Sequence, residues 1–418
     1  MKVTIIGAGI IGVTSAYFLA KSGHDVEVLE RQNGPALETS YANAGMLTPS
    51  MADPWNSPGI LLTVLKNIGN SHSGFLLRLK ALPSLIGWGI RFLLNSSEDK
   101  FISNMHKSAA LSCYSLKILK NLREELELDY EGLQNGSIKI FRDRKSMDEY
   151  AKLATHLAEH NMRHQILSPD EVISTEPSLE PIKDELCGGI YFPDDEAGNA
   201  YKFTCEMATR AEKLGVKFRY GVTVKDVIKS GASIEKFMTD QGDVRSDNFV
   251  LCAGSFSYLL GKKIGIDIPV RPAKGYSISV PVDGWNRGPR MPIVDDEFHA
   301  AITPLGNILR VAGTAELTGF DDKLTAERID NLYNFLDEIY HDLGLKTDKA
   351  AVKEWSGFRP MTADGAPLIG KTPLDNLYLN TGHGPLGWTM ACGSAQMLSD
   401  IMSDKETALN LKDYSLNR

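Results

Sequence analysis

The chain has 418 residues, 43% of them hydrophobic and 23% charged, an ordinary globular composition long enough for two or three domains, and it excludes the disordered, collagen-like and disulfide-framework classes. With 45 Lys plus Arg against 53 Asp plus Glu the formal charge is -8, so no sequence-wide basic field attracts nucleic acid and none is expected as a partner. The five cysteines, Cys113, Cys187, Cys205, Cys252 and Cys392, form no CxxC pair and no Cys/His cluster at zinc-ligand spacing, which predicts a reducing compartment and no metal centre.

The apolar run at residues 3–6 is too short for a secretory core, so no export signal is expected. It reads as a strand ending at Gly7. Residues 11–20 then read as a helix stopped by Ser22-Gly23, and 26–30 as a second strand, together the size of a βαβ unit. Gly7-Ala8-Gly9-Ile10-Ile11-Gly12 is thus a GxGxxG between strand and helix: Gly7 for the tight turn, Gly9 for close approach to a pyrophosphate, Gly12 for helix packing. Glu30 ends the second strand, where a carboxylate accepts from ribose hydroxyls and repels a 2′-phosphate, so NAD or FAD is expected rather than NADP. The small and polar run 38–46 offers backbone N–H groups to a phosphate or ring edge, or is a plain surface loop.

Proline and glycine at 49–58 predict an exit from the first domain near Ser50. Residues 60–95 alternate apolar pieces with basic residues. The greasy part, 75–94, is broken by Arg78, Lys80, Pro83 and Arg91, and a membrane span needs about 20 apolar residues, so none is expected. Helices follow at 104–128 and 146–160 around a strand at 138–141, with a capped helix start at 168–171. A helix at 201–214, β-type runs at 216–218 and 222–228, and a buried strand ending at Gly254 resume the nucleotide-binding pattern. Residues 270–311 read as strands, 325–343 as a helix, and the tail as strand (377–380), glycine loop (382–384) and helix (388–402). The positive end of that last helix favours negative charge arriving at the loop. His383, between two glycines, is either a base or a loop residue, and Trp388 either core or a stacking platform.

Gly7 to Gly12, Ser40-Tyr41-Ala42-Asn43-Ala44-Gly45, Lys274-Gly275-Tyr276-Ser277, the block 358–365 and Gly382 to Ala391 together resemble the FAD-dependent D-amino-acid oxidase superfamily, nearest its bacterial D-amino-acid dehydrogenase small-subunit branch. The segment 387–394 is the most specific element. The resemblance implies an α/β architecture: a discontinuous Rossmann-like FAD-binding domain (1–49, 197–269 and 356–418) and an α+β substrate domain with a mixed or antiparallel sheet (50–196 and 270–355). It also implies FAD held by Gly7, Gly9, Ile10, Ile11, Gly12, Glu30, Arg31, the loop Ser40, Tyr41, Asn43, Ala44, Gly45 and Met46, then Val224, Ala253 and Gly254, and finally Gly382, Gly384, Leu386, Gly387, Trp388 and Thr389. Arg359 matches the arginine that holds the substrate carboxylate, a role suited to a planar guanidinium, with a structural ion pair as the alternative. Arg310 is a weaker candidate because a strand alternates faces, and Tyr276 either lends its hydroxyl to substrate or packs. Gly357 stands near the position where sarcosine-oxidase relatives tether flavin through cysteine, so noncovalent FAD is expected.

The expected reaction is oxidation of a D-amino acid by hydride transfer from Cα to flavin N5, followed by hydrolysis to a 2-oxo acid and ammonia. Electrons would pass to a quinone or other non-oxygen acceptor. An amine oxidase or dehydrogenase of glycine, sarcosine or D-proline type, hydroxy-D-proline included, stays open, as does a non-catalytic FAD-binding subunit. A cytoplasmic location is expected, with residues 59–94 either resting on the inner face of the membrane or packing as core helices. A homo-oligomer is also open.

Overall fold

The structure, a computed structural model, describes residues 1–62, 74–343 and 349–418. Residues 63–73 of the apolar and basic stretch therefore lie outside the described residues.

Val3, Thr4 and Ile5 are wholly buried, the pattern of a central parallel strand covered on both faces. Lys2–Ile6 pairs in parallel with Asp25–Leu29 on one side and Asn248–Leu251 on the other. The sheet runs Leu368–Lys371, Leu377–Thr381, Asn248–Leu251, Lys2–Ile6, Asp25–Leu29, Lys217–Arg219, with only the first strand antiparallel to its neighbour. The helix Ile10–Lys21 follows the glycine turn. Its Val13, Ala16 and Leu19 share one core with Met390, Ala391, Ala395 and Leu398 of the helix Gly387–Met402 and with Phe203 and Met207 of the helix Ala200–Lys213. The run expected at 222–228 leaves this sheet. Val224–Ser230 instead forms a small antiparallel sheet with Ser233–Thr239 and Gly242–Val244.

Among the described residues the second sheet has nine strands and is mixed. Val270–Pro281 lies between Lys353–Thr362 and Ile308–Leu317, both antiparallel to it, and the sheet continues through Ala300–Leu305, Ile293–Asp295, Ser137–Phe141, Gly188–Phe192 and Gln165–Leu167. Lys353–Thr362 pairs along its whole length, so residues 356–362 belong to this sheet; a strand cannot leave its ladder midway without orphaning backbone groups. Alternation divides the long central strand. Tyr276, Ile278 and Val280 pack with Leu332, Phe335, Leu336 and Ile339 of the helix Ala326–Ile339, while Ala273, Gly275, Ser277 and Ser279 take the opposite face. That opposite face looks toward the first sheet, across a cavity.

Candidate active site

The cavity, about 580 Å³, is walled by the glycine turn and acidic strand end of the first sheet and by Gly275, Ala301, Ala312, Gly357 and Arg359 of the second. Gly7 has φ +106°, and a Cβ there would come within 2.6 Å of the Cys252 carbonyl oxygen. A Cβ on Gly12 would overlap the Gly7 carbonyl, so Gly12 brings the helix onto the turn from outside the cavity wall. Glu30 accepts from the Ala8 N–H (2.7 Å) and the Gln32 N–H (2.8 Å); burial raises its pKa, against those two donors. Arg31 donates from Nε to Glu38 (2.6 Å) and lies 3.7 Å above the ring of Phe256, a flat shelf at the cavity edge. Phe256 carries no sequence signal of its own.

The loop after the acidic strand is pinned at several points. Ser40 Oγ accepts from the Ile10 N–H at the start of the first helix (3.1 Å), and Asn43 Oδ1 accepts from the Gly45 N–H (3.0 Å). From the second sheet, Ser277 Oγ donates to the Ala42 carbonyl (2.6 Å) and Arg310 Nη1 to the Asn43 carbonyl (2.6 Å), while Arg310 Nε donates to Ser279 Oγ (3.0 Å). Arg310 is thus buried beneath the loop and outside the cavity wall, holding backbone and not facing substrate space. Ser277 and Ser279, one and two pleats along the same face, complete this anchor. Tyr41 is the exposed member of the loop, edge-on to Tyr201, and does not line the cavity. Asn43, Ala44, Gly45 and Met46 do, as do Gly9, Ile10, Ile11, Val224, Ala253 and Gly254.

In the last glycine loop, Gly384, Leu386, Gly387 and Trp388 reach the cavity. Gly382 does not: at φ +81° it backs onto Thr362, where a Cβ would meet the methyl at 2.6 Å. Thr389 is also behind the wall and accepts from the Thr48 N–H (3.1 Å). Trp388 is core as well as wall, its ring against Phe203 and Tyr130 and its Nε1 donating to the Gly198 carbonyl (3.3 Å). His383 lines the cavity but is a poor base: burial drives its pKa down to about 3, and its Nε2 has no partner among the described residues. The glycine turn at a helix N-terminus, the acidic strand end and the Arg31–Phe256 shelf, all in the wall of one cavity, together fit FAD.

The other half of the cavity is built round Arg359. Its Nη1 donates to the Thr314 carbonyl (2.8 Å), and the guanidinium carbon is 5.5 Å from the ring centre of Trp55. A Cβ on Gly275 would overlap the guanidinium, and a Cβ on Gly357 would overlap the ring of Trp355; the paired glycines make the hollow in which both side chains lie. Among the described residues no carboxylate is within ion-pair reach of Arg359, so the structural ion pair is not formed there. Burial, then the like charge of Arg328, lowers its pKa to about 10, still charged at neutral pH. A cation so placed calls for an anion. Thr314, which takes the Arg359 hydrogen bond from behind the wall, has φ +56°, and the cavity-lining His299 beside it φ +48°, strain of about 1–3 kcal/mol each.

Tyr276 takes the packing alternative. Residue 276 touches the cavity, but its ring belongs to the helix-covered core and its hydroxyl donates to Glu316 and lies 3.0 Å from Thr325 Oγ1, because alternation points the side chain away from the face that carries Gly275. The far end of the cavity is polar and was not foreseen: Lys139 pairs with Asp296 (2.7 Å) and lies 3.6 Å over the ring of Tyr150, whose hydroxyl is 3.3 Å from Asp53. These residues come from separate elements, and no local pattern links them.

The family described as DAO, FAD-dependent oxidoreductase, matches residues 2–401. The chain is 40% identical over 418 residues to a D-amino acid dehydrogenase of Allorhizobium ampelinum, covering all of this chain and 98% of that protein, and 41% identical to one of Rhizobium rhizogenes, covering all of both. Its fold is similar to the crystal structures of L-proline dehydrogenase from P. horikoshii (TM-score 0.78, 18% identity, 100% and 97% covered) and glycine oxidase from Geobacillus kaustophilus (TM-score 0.76, 24% identity, 100% and 98% covered). A glycine turn on an acidic strand, in one cavity wall with an arginine that meets no carboxylate among the described residues, thus coincides with a family match over nearly the whole length, and the chain belongs to the DAO family of FAD-dependent oxidoreductases.

Proposed function

We propose that this chain oxidises D-amino acids to imino acids, which water hydrolyses to 2-oxo acids and ammonia, and that the electrons leave to a quinone or another non-oxygen acceptor. The observation that carries this reading is Arg359, a half-buried cation with no carboxylate partner among the described residues, in the wall of the same cavity as the glycine turn. The two full-length relatives of about 40% identity support it. Bound FAD supplies the two-electron acceptor. Arg359 receives the substrate carboxylate, and the geometry of a planar fork fixes the Cα–H direction, an orientation effect that reaches several kcal/mol. Trp55 and Trp355 flank the clamp and keep water from it. His383 stays uncharged and acts as wall, not as base. With Gly357 near the position where sarcosine-oxidase relatives carry a tethering cysteine, the cofactor is held without a covalent bond.

The acceptor side is supported by the helix Leu82–Leu94. Its Leu85 and Trp88 pack on Ala273 and Met361, and Trp88 Nε1 donates to the Met361 carbonyl (3.1 Å), two residues from Arg359. Outward it exposes Leu82, Ile86, Ile90, Leu93 and Leu94, with Lys80 and Arg91 alongside. Among the described residues no helix is long and apolar enough to cross a membrane, and this face suits contact with a membrane surface where a quinone resides. The deciding experiment adds D- and L-amino acids anaerobically to the purified yellow protein. Bleaching by D-enantiomers only, with dye or quinone reduction exceeding peroxide release in air, is expected; bleaching by no amine, or stoichiometric peroxide, overturns the substrate and the acceptor respectively.

A further inference from the structure

Outside the cavity wall, three histidines and a glutamate meet where the helix Glu98–Leu126 packs beside the end of the helix Arg144–Leu157. His106 stands on the helix Glu98–Leu126; His156 ends the helix Arg144–Leu157, and Glu159 and His160 occupy the 3-10 turn Ala158–His160 that follows. One ligand atom from each of His106, His156 and Glu159 lies within 4.8 Å of the other two. His106 Nδ1 is 2.9 Å from His160 Nε2, and its other nitrogen faces Glu159 Oε2 at 3.9 Å. His160 thereby fixes the ring of His106 with Nε2 turned to the gap, the outer-sphere arrangement that metal-binding histidines use. The rings of His106 and His156 stand at 82° with centroids 6.0 Å apart, converging and not stacked. Beneath them Met105, Ala109, Leu157 and Met162 make a small apolar seam with Ala52.

We propose that His106, His156 and Glu159 form a binding site for a divalent ion of the Zn²⁺ class, fastening the helix Glu98–Leu126 to the helix Arg144–Leu157, with His160 as positioning residue. Two imidazoles and one carboxylate are a borderline donor set that selects Zn²⁺, Ni²⁺ or Cu²⁺ over Mg²⁺ and Ca²⁺. Ligand bonds of about 2.0–2.2 Å place tetrahedral ligand atoms about 3.3 Å apart, so the ion draws the group inward by about an ångström. The Glu159 side chain, 67% exposed, is free to make that movement and leaves a position open to water. Sequence spacing hides the site, because His106 is 50 residues from His156.

The test uses the full-length holoenzyme without an affinity tag, stripped with chelator and titrated with ZnCl₂ alone in a calorimeter, with Co²⁺ absorption as a second readout. One ion per chain, a raised melting temperature and cobalt d–d bands are expected. His156→Ala is expected to weaken Zn²⁺ binding by more than about tenfold, and His160→Ala by about tenfold, the scale of an outer-sphere loss. Flavin bleaching by D-amino acids stays unchanged in both. Should either variant fail to fold, Glu159→Gln, at an exposed position, replaces it. Absence of binding by the wild-type protein, or equal affinity in the wild type and the variants, overturns the proposal.

Discussion

A guanidinium that faces a cavity without a carboxylate differs in kind from one locked onto backbone, and Arg359 and Arg310 are one of each. Arg359→Lys keeps the charge but loses the fork, and Arg359→Ala loses both. Lysine is expected to raise KM for D-amino acids by about tenfold or more, and alanine to reduce kcat/KM by about 10³-fold, the scale of a charge-assisted bidentate contact worth several kcal/mol. Flavin content should be unaffected by either. Steady-state kinetics with parallel flavin absorbance checks this, and an alanine variant of near-normal kcat/KM removes the clamp. Arg310→Ala predicts the reverse. With the Asn43 carbonyl released, the loop that walls the cavity loosens, so the purified variant carries less flavin, while the molecules that retain it show nearly wild-type KM.

At the scale of elements, two attachments make separate demands. Asp195, after the strand Gly188–Phe192, accepts from Ser137 Oγ (2.6 Å) and Ser50 Oγ (2.5 Å), joining the turn Pro49–Met51 to the strand Ser137–Phe141. Burial nonetheless raises its pKa from 3.8 to about 7, outweighing those donors. The folded state therefore holds this proton more tightly than the unfolded chain. Its contribution to stability is complete below pH 3.8 and is lost as pH rises toward 7. Asp195→Asn should remove the loss, so the melting temperature of the variant relative to wild type climbs from pH 5 to pH 8; a constant difference defeats the assignment. The helix Leu82–Leu94 buries Leu85 and Trp88 on its inner face and is tied further by the Arg91–Asp267 ion pair (2.7 Å). Ile86→Asp with Ile90→Asp, both on the exposed side, is expected to change stability by less than about 1 kcal/mol. The same pair should abolish co-sedimentation with vesicles of anionic lipid and leave dye-linked turnover intact. Undiminished sedimentation would remove this face as the membrane contact.

For the molecule as a whole, the sequence was most informative where function rests on backbone shape. Gly7, Gly12 and Glu30 declare themselves because strand, turn and helix are contiguous, and the expected roles of turn and packing follow from chain stereochemistry alone. Arg359 was legible through its block, but Trp55, Trp355 and the Lys139, Tyr150 and Asp53 group were not, since each meets the cavity only after strands far apart in sequence are registered. Tyr276 shows the same limit from the other side: one position of strand register decides between substrate space and the core under the helix. The pairing of Lys353–Thr362 with Val270–Pro281 is hidden for a like reason, because it is invisible locally. The cavity wall is thus shared between two sheets that touch through few covalent crossings, and a ligand that fills it must couple them. Removing FAD should lower the melting temperature by several degrees, with recovery on adding it back, since a ligand at 1,000 times its Kd adds about 4 kcal/mol. Hydrogen exchange in the apoprotein is expected to quicken in residues 40–46 and 382–387 and equally in Ser277 and Ser279, which hold that loop from the opposite sheet or stand beside it. If exchange quickens in the first sheet alone, the two walls are independent and the shared anchor through Ser277 and Arg310 contributes nothing to cofactor retention.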